Sequence, residues 1–263
     1  LMLVGHGKGI LAHVGDSRLM VLRNGVIHQL SEDHTFVNDL LKRGSINKAQ
    51  AKLHPQGNVL SRALGAQPTV AIDTMVFDTD PGDVFLLCSD GLHTYFPDAQ
   101  ELGGPLADPD AEASLSLLIN AAIQRGGHDN VTAIIVRIGG VHDEPSVGAE
   151  QRIAFLKRIP MFANLTYKEL VKVVGQTHVA KHGAGHVFIR EGDRGNEFYV
   201  ILAGEAEVLK NGAVIATIPT GAHLGEMAMI DNAPRSATVR AKTDIRLLVM
   251  QREEFFSVVR TEP

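Results

Sequence analysis

Short apolar segments follow one another through residues 177–250, and glycine or asparagine separates most of them. Each segment is about five or six residues long, which is typical of β-strands. Many short strands at this spacing predict an antiparallel β-roll or jelly roll. Gly183, Gly192, Gly195 and Gly204 are predicted to lie where the roll turns tightly. The predicted strands are residues 177–181, 186–191, 197–202, 205–210, 213–218, 237–241 and 245–250.

A stretch between two of these strands, residues 224–239, has the residue types that hold an anion. It reads Leu-Gly-Glu-Met-Ala-Met-Ile-Asp-Asn-Ala-Pro-Arg-Ser-Ala-Thr-Val. Residues 228–230 can form one helical turn, whose first N–H groups, together with the guanidinium of Arg235, suit a phosphate. The carboxylate of Glu226 accepts hydrogen bonds and suits ribose hydroxyls. A surface turn in which Glu226 pairs with Arg235 is the alternative, and the residue types alone leave both open.

The order and spacing of this stretch resemble the phosphate-binding cassette of the cyclic nucleotide-binding domain family, and the resemblance extends over residues 150–260. It implies an eight-stranded roll between helices, closed by a helix at residues 253–259. Ser236 follows the arginine, where threonine goes with cGMP and alanine commonly with cAMP in this family, and we favour cAMP because serine also occurs in cAMP-binding regulators. The implied nucleotide-binding residues are Gly225, Glu226, Met227, Ala228, Arg235 and Ser236.

The first half of the chain begins with strands and turns. Asn24-Gly25 joins two apolar runs and predicts a β-hairpin. Gly-Asp-Ser at residues 15–17 forms an earlier turn that carries Asp16. Residues 35–42 and 48–53 are predicted helices, and residues 69–77 are a predicted strand.

The apolar run at residues 84–88 predicts a strand that is buried on both faces, and it ends at Ser-Asp-Gly. A helix follows, with Asp108 predicted as its N-cap, Pro109 at its first position and Gly126 after its end. The next predicted strand is residues 131–138. If it pairs antiparallel with the first, Asp90 and Asp129 meet at one sheet edge, where two carboxylates repel unless a cation lies between them. The alternative is two aspartates that only form turns.

Four motifs in this half resemble the metal-dependent serine/threonine phosphatases of the type 2C, or PPM, family. They are Ala-His-Val-Gly-Asp-Ser-Arg (12–18), Asn-Val-Leu-Ser-Arg-Ala-Leu-Gly (58–65), Cys-Ser-Asp-Gly-Leu (88–92) and Gly-His-Asp-Asn-Val-Thr (127–132). The resemblance implies part of an α/β/β/α sandwich and the hydrolysis of phosphoserine and phosphothreonine on proteins with two Mg²⁺ or Mn²⁺ ions. It also implies that Asp90 and Asp129 coordinate metal, that Asn130 supports them, and that Asp16, an additional candidate ligand, lies close by.

Two departures from the phosphatase pattern limit this inference. The family's Asp-Gly metal-binding pair and its phosphate-binding arginine occur upstream of the motifs present here, so we expect further metal ligands and the catalytic residues outside this sequence. Thr94 stands where many members have a second acid, which weakens the case for Asp16 as a ligand of a third metal ion.

Charge and cysteine content restrict the partners. Residues 1–138 carry 10 Lys and Arg against 15 Asp and Glu, and the remaining residues carry 15 of each, so neither half is basic enough to predict a nucleic-acid partner. No apolar run reaches the roughly 20 residues that a membrane helix needs, so no membrane partner is expected. The single cysteine, Cys88, excludes an internal disulfide and is compatible with the cytoplasm. Because the sequence starts at Leu1, we expect it to be part of a longer protein.

The sequence therefore predicts an α+β protein with two domains. Residues 1–139 are the C-terminal part of a phosphatase domain, residues 140–149 a Gly- and Pro-containing linker, and residues 150–263 a cyclic nucleotide-binding domain. The predicted function is a metal-dependent protein serine/threonine phosphatase regulated by a cyclic nucleotide, with a phosphorylated protein as substrate. The alternative is a non-catalytic cyclic nucleotide sensor in which the first domain is a degenerate scaffold.

Overall fold

The computed structural model describes residues 1–140, 147–227 and 234–259, the last three of these by their backbone only. The chain divides into two compact units, one formed by Leu1–Met75 with Thr79–Asp143 and the other by Val76–Asp78 with Glu144–Pro263.

Residues 1–140 form two sheets. One has three strands in the order β1-β2-β5, and the other has four strands in the order β4-β3-β6-β7, antiparallel throughout. The strands are β1 Met2–Gly5, β2 Lys8–His13, β3 Arg18–Arg23, β4 Val26–Gln29, β5 Asp73–Asp78, β6 Val84–Cys88 and β7 Ala133–Arg137.

Two hairpins in this unit have turns with left-handed backbone. Asn24 and Gly25 have φ of 50° and 77°, and they join β3 to β4 as the Asn-Gly dipeptide predicted. The β1–β2 hairpin was not predicted. His6 and Gly7 form its turn, with φ of 51° and 70°, and a His-Gly pair is a much weaker turn indicator than Asn-Gly.

The helices of this unit are short except for α5. They are α1 Phe36–Lys42, α2 Lys48–Lys52, α3 Asp90–His93, α4 Gly103–Ala107 and α5 Ala111–Gln124. The predicted N-cap of α5 was wrong: Asp110, and not Asp108, accepts the N–H groups of Glu112 and Ala113 at 2.9 and 3.1 Å. Asp108 follows the end of α4, and its carboxylate accepts the N–H of Asp110 at 2.9 Å. Pro109 therefore precedes the helix instead of starting it.

Strand β6 lies at the centre of the four-stranded sheet and is buried on both faces, as its unbroken apolar run predicted. Phe85 and Leu86 point to opposite faces and are both fully buried. One face packs on helices α3 to α5 through a cluster that joins Leu86 to Leu92 and Leu118. This packing fixes the end of β6, from which α3 starts at once.

Residues 147–227 and 234–259 contain eight strands, in two four-stranded sheets of order β13-β10-β15-β8 and β12-β11-β14-β9. Their core takes side chains from both sheets, including Ile189, Ile201, Val239 and Leu247, which is the arrangement of the predicted β-roll. The strands are β8 His178–His182, β9 Val187–Ile189, β10 Glu197–Ala203, β11 Ala206–Lys210, β12 Ala213–Ile218, β13 His223–Leu224, β14 Thr238–Ala241 and β15 Ile245–Gln251.

Helices flank the roll. They are α6 Ala149–Lys157, α7 Tyr167–Gly175 and α8 Arg252–Val259. Helix α7 begins with a capping box, in which Thr166 and Glu169 each accept the other's backbone N–H. Phe255 of α8 packs edge-on against Phe162, with ring centroids 5.6 Å apart. None of the described helices is long and apolar enough to cross a membrane.

Candidate functional site

Asp90 and Asp129 lie at the same edge of the four-stranded sheet. Strands β6 and β7 pair antiparallel, with Cys88 opposite Ala133, so the end of β6 meets the start of β7. The ladder continues beyond the strands, because the N–H of Ser89 donates to the carbonyl of Thr132 at 3.0 Å. Asp90 directly follows Ser89, and Asp129 lies three residues before Thr132 on the neighbouring segment.

Gly91 sets how closely the two segments approach. A Cβ atom on Gly91 would lie 2.3 Å from the carbonyl oxygen of Asn130 and 2.9 Å from its carbonyl carbon, so only glycine fits here. The hydroxyl of Ser89 donates to the same Asn130 carbonyl at 3.2 Å and accepts the N–H of Thr132 at 3.1 Å. The residues on either side of Asp90 thus contact the segment that follows Asp129.

Asp16 lies on the turn between β2 and β3, near Asp90. Strand β3 pairs with β6, with Arg18 opposite Cys88, which brings this turn to the same sheet edge. Burial raises the pKa of Asp16, and the negative charge of Asp90 raises it further. The buried His93 donates from Nε2 to the Asp16 carbonyl at 3.0 Å. Burial lowers the pKa of His93, with the positive charge of Arg18 acting in the same direction.

The three aspartates offer the hard oxygen donors that a divalent cation prefers. The negative charge of Asp90 adds to the raised pKa of Asp16, whose main cause is burial. Within residues 1–140, 147–227 and 234–259, however, no three His, Cys, Asp or Glu side chains are grouped closely enough to hold a metal ion. The residues present therefore fit a divalent cation as part of its ligand set, and a complete set needs further donors.

Other residues of the phosphatase-like motifs have partners that fix the fold around this edge. Arg18 makes a bidentate ion pair with Asp33, with N–O distances from 2.6 to 3.2 Å. Arg62 donates to Asp73 at 2.7 Å, and the buried His34 donates from Nε2 to the same carboxylate at 3.0 Å. Thr94, at the position where many members of the phosphatase family have a second acid, is exposed.

A second candidate site is a cavity of about 330 Å³ in the roll. This volume lies within the usual range of small-ligand pockets. Its lining combines apolar side chains with the predicted cassette residues on both sides of residues 228–233. It is lined by Ile189, Val208, Leu224, Gly225, Glu226, Met227, Pro234, Arg235, Ser236, Ala237 and Val239.

The guanidinium of Arg235 lies in a slot between two glycines. A Cβ atom on Gly195 would lie 2.4 Å from its Nε, and a Cβ atom on Gly225 would lie 2.4 Å from its Nη1. Its Nη2 donates to the carbonyl of Glu197 at 2.6 Å, and the Tyr199 ring lies 5.9 Å from the guanidinium carbon. Among the described residues no ion pair joins Arg235 to the exposed Glu226, so the alternative of a salt-bridged surface turn is not seen.

The other predicted cassette residues within the described part of the chain border the cavity. Glu226, Met227 and Ser236 are exposed, and Gly225 has a φ of 84°, which glycine adopts readily. The carbonyl of Ser236 accepts a hydrogen bond from Lys210 at 2.5 Å. Ala228 and the predicted helical turn at residues 228–230 lie outside the described residues.

Sequence reasoning did not identify the functional surroundings of Arg235. Gly195 was assigned to a tight turn, but its φ is not in the left-handed region and its requirement is the space taken by the guanidinium. Glu197 holds Arg235 through its backbone carbonyl, which no side-chain pattern reveals. Its carboxylate accepts hydrogen bonds from the Tyr199 hydroxyl and from the Gln251 side chain. Burial, followed by this hydrogen bond, raises the pKa of Tyr199.

Two family models match separate parts of the chain, and each part contains residues of one of the two candidate sites. Residues 1–101 match the family model described as protein phosphatase 2C, and residues 180–262 match the model described as cyclic nucleotide-binding domain.

Among individual proteins, the serine/threonine phosphatase Stp of Listeria innocua is 38% identical over 134 residues, which are 51% of this chain and 53% of that protein. The solved serine/threonine phosphatase of S. agalactiae has 33% identity and a TM-score of 0.50, covering 52% of this chain and 57% of its own. The solved phosphatase PstP/Ppp of Mycobacterium tuberculosis has 34% identity and a TM-score of 0.50, covering 53% and 58% respectively. The chain spans about half the length of the curated relatives that it matches.

Proposed function

Because residues 1–101 belong to the protein phosphatase 2C family and residues 180–262 to the cyclic nucleotide-binding domain family, we propose that the whole protein is a metal-dependent serine/threonine protein phosphatase regulated by a cyclic nucleotide. Its substrates are phosphorylated proteins, and its regulatory ligand is cAMP. The domain limits that we propose are residues 1–139 for the phosphatase part, 140–149 for the linker and 150–263 for the nucleotide-binding domain.

The observation that carries the phosphatase proposal is the position of Asp90 beside the segment that contains Asp129. The close packing of Gly91 against the Asn130 backbone fixes this position. In this proposal the two carboxylates hold a divalent cation, Mg²⁺ or Mn²⁺, with Asp16 beside them. Such an ion supplies a bound water of lowered pKa and neutralises charge on a phosphoryl group. The backbone around Gly91 keeps the two carboxylates at one edge before any ion binds, so little ordering is needed on binding.

The regulatory proposal is supported by the cavity beside Arg235. Its guanidinium is positively charged at any physiological pH and is positioned by the two glycines and the Glu197 carbonyl. A cyclic phosphate would bind to this guanidinium, and Glu226 at the rim would accept hydrogen bonds from a ribose hydroxyl. The apolar side chains of Ile189, Val208 and Val239 line the rest of the cavity and suit a purine.

The test is the rate of phosphopeptide hydrolysis by the full-length protein with Mn²⁺, measured with and without saturating cAMP. We expect cAMP to change the rate of the wild-type protein and to leave that of Arg235→Ala unchanged. We expect Asp90→Asn to lose metal affinity and activity while still binding cAMP. A wild-type protein that binds cAMP but neither binds Mn²⁺ nor hydrolyses phosphopeptides would instead be a nucleotide sensor with a degenerate phosphatase scaffold. Equal wild-type rates with and without cAMP would refute regulation.

A further inference from the structure

Tyr95 joins the two segments that carry the predicted metal ligands. It follows α3, the helix that starts at Asp90, and its hydroxyl accepts the backbone N–H of His128 at 2.9 Å. His128 directly precedes Asp129. A single side chain from the Asp90 segment therefore holds the backbone next to the second carboxylate.

The loop that carries Asp129 lies close against the Tyr95 ring. A Cβ atom on Gly126 would lie 3.0 Å from Cε1 of Tyr95 and 3.3 Å from its hydroxyl oxygen. Gly126 and Gly127 have φ of 149° and 55°, so the chain leaves α5 through backbone that other residues rarely adopt. The two glycines let the loop pass over the ring.

Tyr95 is itself fixed by the end of α5. Nη1 of Arg125, the C-cap of that helix, donates to the Tyr95 carbonyl at 2.6 Å. The same guanidinium pairs with Glu101 at 2.7 Å and lies 4.6 Å from the centre of the Phe96 ring. The Tyr95 carbonyl is thus hydrogen-bonded to Arg125 at the start of the loop, and the Tyr95 hydroxyl is hydrogen-bonded to His128 within the loop.

Apart from the contacts of Gly91 and Ser89 with Asn130, the loop has little packing to hold it, because residues 123–130 are all exposed. An exposed loop with two glycines samples many conformations unless hydrogen bonds restrict it. Asp129 accepts its own neighbour's N–H, that of Asn130, at 2.7 Å, which orients the carboxylate relative to its loop but not relative to Asp90. The Tyr95 hydroxyl restrains the segment at His128, before Asp129, whereas the Gly91 contact restrains it at Asn130, after Asp129.

We propose that Tyr95 is a positioning residue for the metal centre: its hydroxyl holds the backbone that precedes Asp129 against the Asp90 segment, so that both carboxylates can bind one divalent cation. This inference rests on the proposed function, because it assumes that the two aspartates bind metal in the whole protein. Hydrogen-bond partners outside the ligand set contribute about 10- to 100-fold to metal affinity in characterised sites.

The test is Tyr95→Phe in the full-length protein, which removes the hydroxyl and keeps the ring. We expect the Kd for Mn²⁺ alone, measured by calorimetry, to rise about tenfold. We expect kcat for a phosphopeptide at saturating Mn²⁺ to stay within about twofold, and the His128 amide to exchange its proton faster in the metal-free protein. Tyr167→Phe is the matched control, since the Tyr167 hydroxyl donates to Glu150 at 2.9 Å in the other unit, and we expect it to change none of these quantities.

Gly126→Ala provides a second variant that keeps the hydroxyl, because its Cβ would push the loop away from the ring and should also weaken Mn²⁺ binding. The Tm of the metal-free protein shows whether each variant is folded. If wild type binds Mn²⁺ and both variants bind it within about twofold of wild type, the role of Tyr95 is refuted while the phosphatase proposal stands. If wild type itself does not bind Mn²⁺, the phosphatase proposal fails and this inference fails with it.

Discussion

Gly195 and Arg235 are so close that a Cβ atom on the glycine would lie 2.4 Å from Nε of the guanidinium and 2.6 Å from its Nη2. Real Cβ atoms do not approach other atoms this closely, so a larger residue at position 195 and the present position of the Arg235 side chain exclude each other. Gly195 has no left-handed φ that would require glycine. The glycine is therefore needed for the arginine and not for the backbone.

Gly195→Ala is expected to weaken cAMP binding by about tenfold or more, a change of at least about 1.4 kcal/mol, because the methyl group displaces the guanidinium. The protein should stay folded, since the group that moves is the end of a flexible side chain. Calorimetry with cAMP measures the affinity, and the Tm without ligand measures stability. Gly183→Ala is the matched control: its Cβ would lie no closer than 3.8 Å to Asp244 Oδ1, so its affinity should equal that of wild type. Equal affinities in both variants would contradict the role of Gly195.

Arg235→Ala should abolish cAMP binding with little loss of stability. Removing a charged partner from a desolvated contact typically costs about 2–5 kcal/mol of binding free energy, whereas among the described residues the fold loses the side-chain hydrogen bond to the Glu197 carbonyl. Arg240→Ala serves as the control. Arg240 lies on β14, its side chain is 39% exposed, and it pairs with Glu207 at 2.6 Å. Titration calorimetry on both variants decides, and binding by Arg235→Ala within a few-fold of Arg240→Ala would remove Arg235 from the site.

Gly91→Ala should destabilise the first unit and separate Asp90 from Asp129. The new Cβ would meet backbone atoms of Asn130, which cannot rotate away, and such overpacking typically costs about 1–3 kcal/mol. A decrease in Tm on the order of 5 °C is expected. Gly104→Ala in α4 is the comparison, because its Cβ would meet nothing within 4 Å and alanine favours a helix by about 0.5–1 kcal/mol. If calorimetric melting shows both variants to be as stable as wild type, the packing of Gly91 against the Asn130 backbone does not require glycine.

The ion pair around Asp73 should make stability depend on pH in the acid range. Burial acts to raise the pKa of Asp73, but hydrogen bonds from His34 and Arg62 outweigh it and lower the pKa to about 2. The unfolded value is about 3.9. A lowered pKa stabilises the fold fully above the unfolded value, and this contribution is lost as the pH falls through the folded value.

Asp73→Asn should therefore lower the Tm above about pH 4, and the difference from wild type should shrink between about pH 4 and pH 2. The carboxylate is 41% exposed, so solvent screening keeps the effect modest. Thermal unfolding at a series of pH values measures it. A difference in Tm that is constant from pH 6 to pH 2 would show that Asp73 does not stabilise the fold through its charge.

Local patterns in the sequence predicted most of the strands, and the motifs carried the resemblance to the two families. The β6 run and the Asn24-Gly25 hairpin are recognised from residues close together in sequence, and both were confirmed. The β1–β2 hairpin was missed and the N-cap of α5 was placed at the wrong aspartate, because His-Gly is a weak turn indicator and two aspartates flank Pro109. The roles of the predicted site residues stay predictions.

The strand pattern and the order of the motifs can be predicted from periodicity and local spacing, and the motifs carry the resemblance to the two families. The close contacts around the predicted site residues emerge only from the folded structure. Gly195 makes room for Arg235, and Tyr95 holds His128 across 33 positions of sequence. Such relationships depend on how closely two distant segments approach, to within a fraction of an ångström. Packing of the whole unit sets that distance, and no local propensity encodes it.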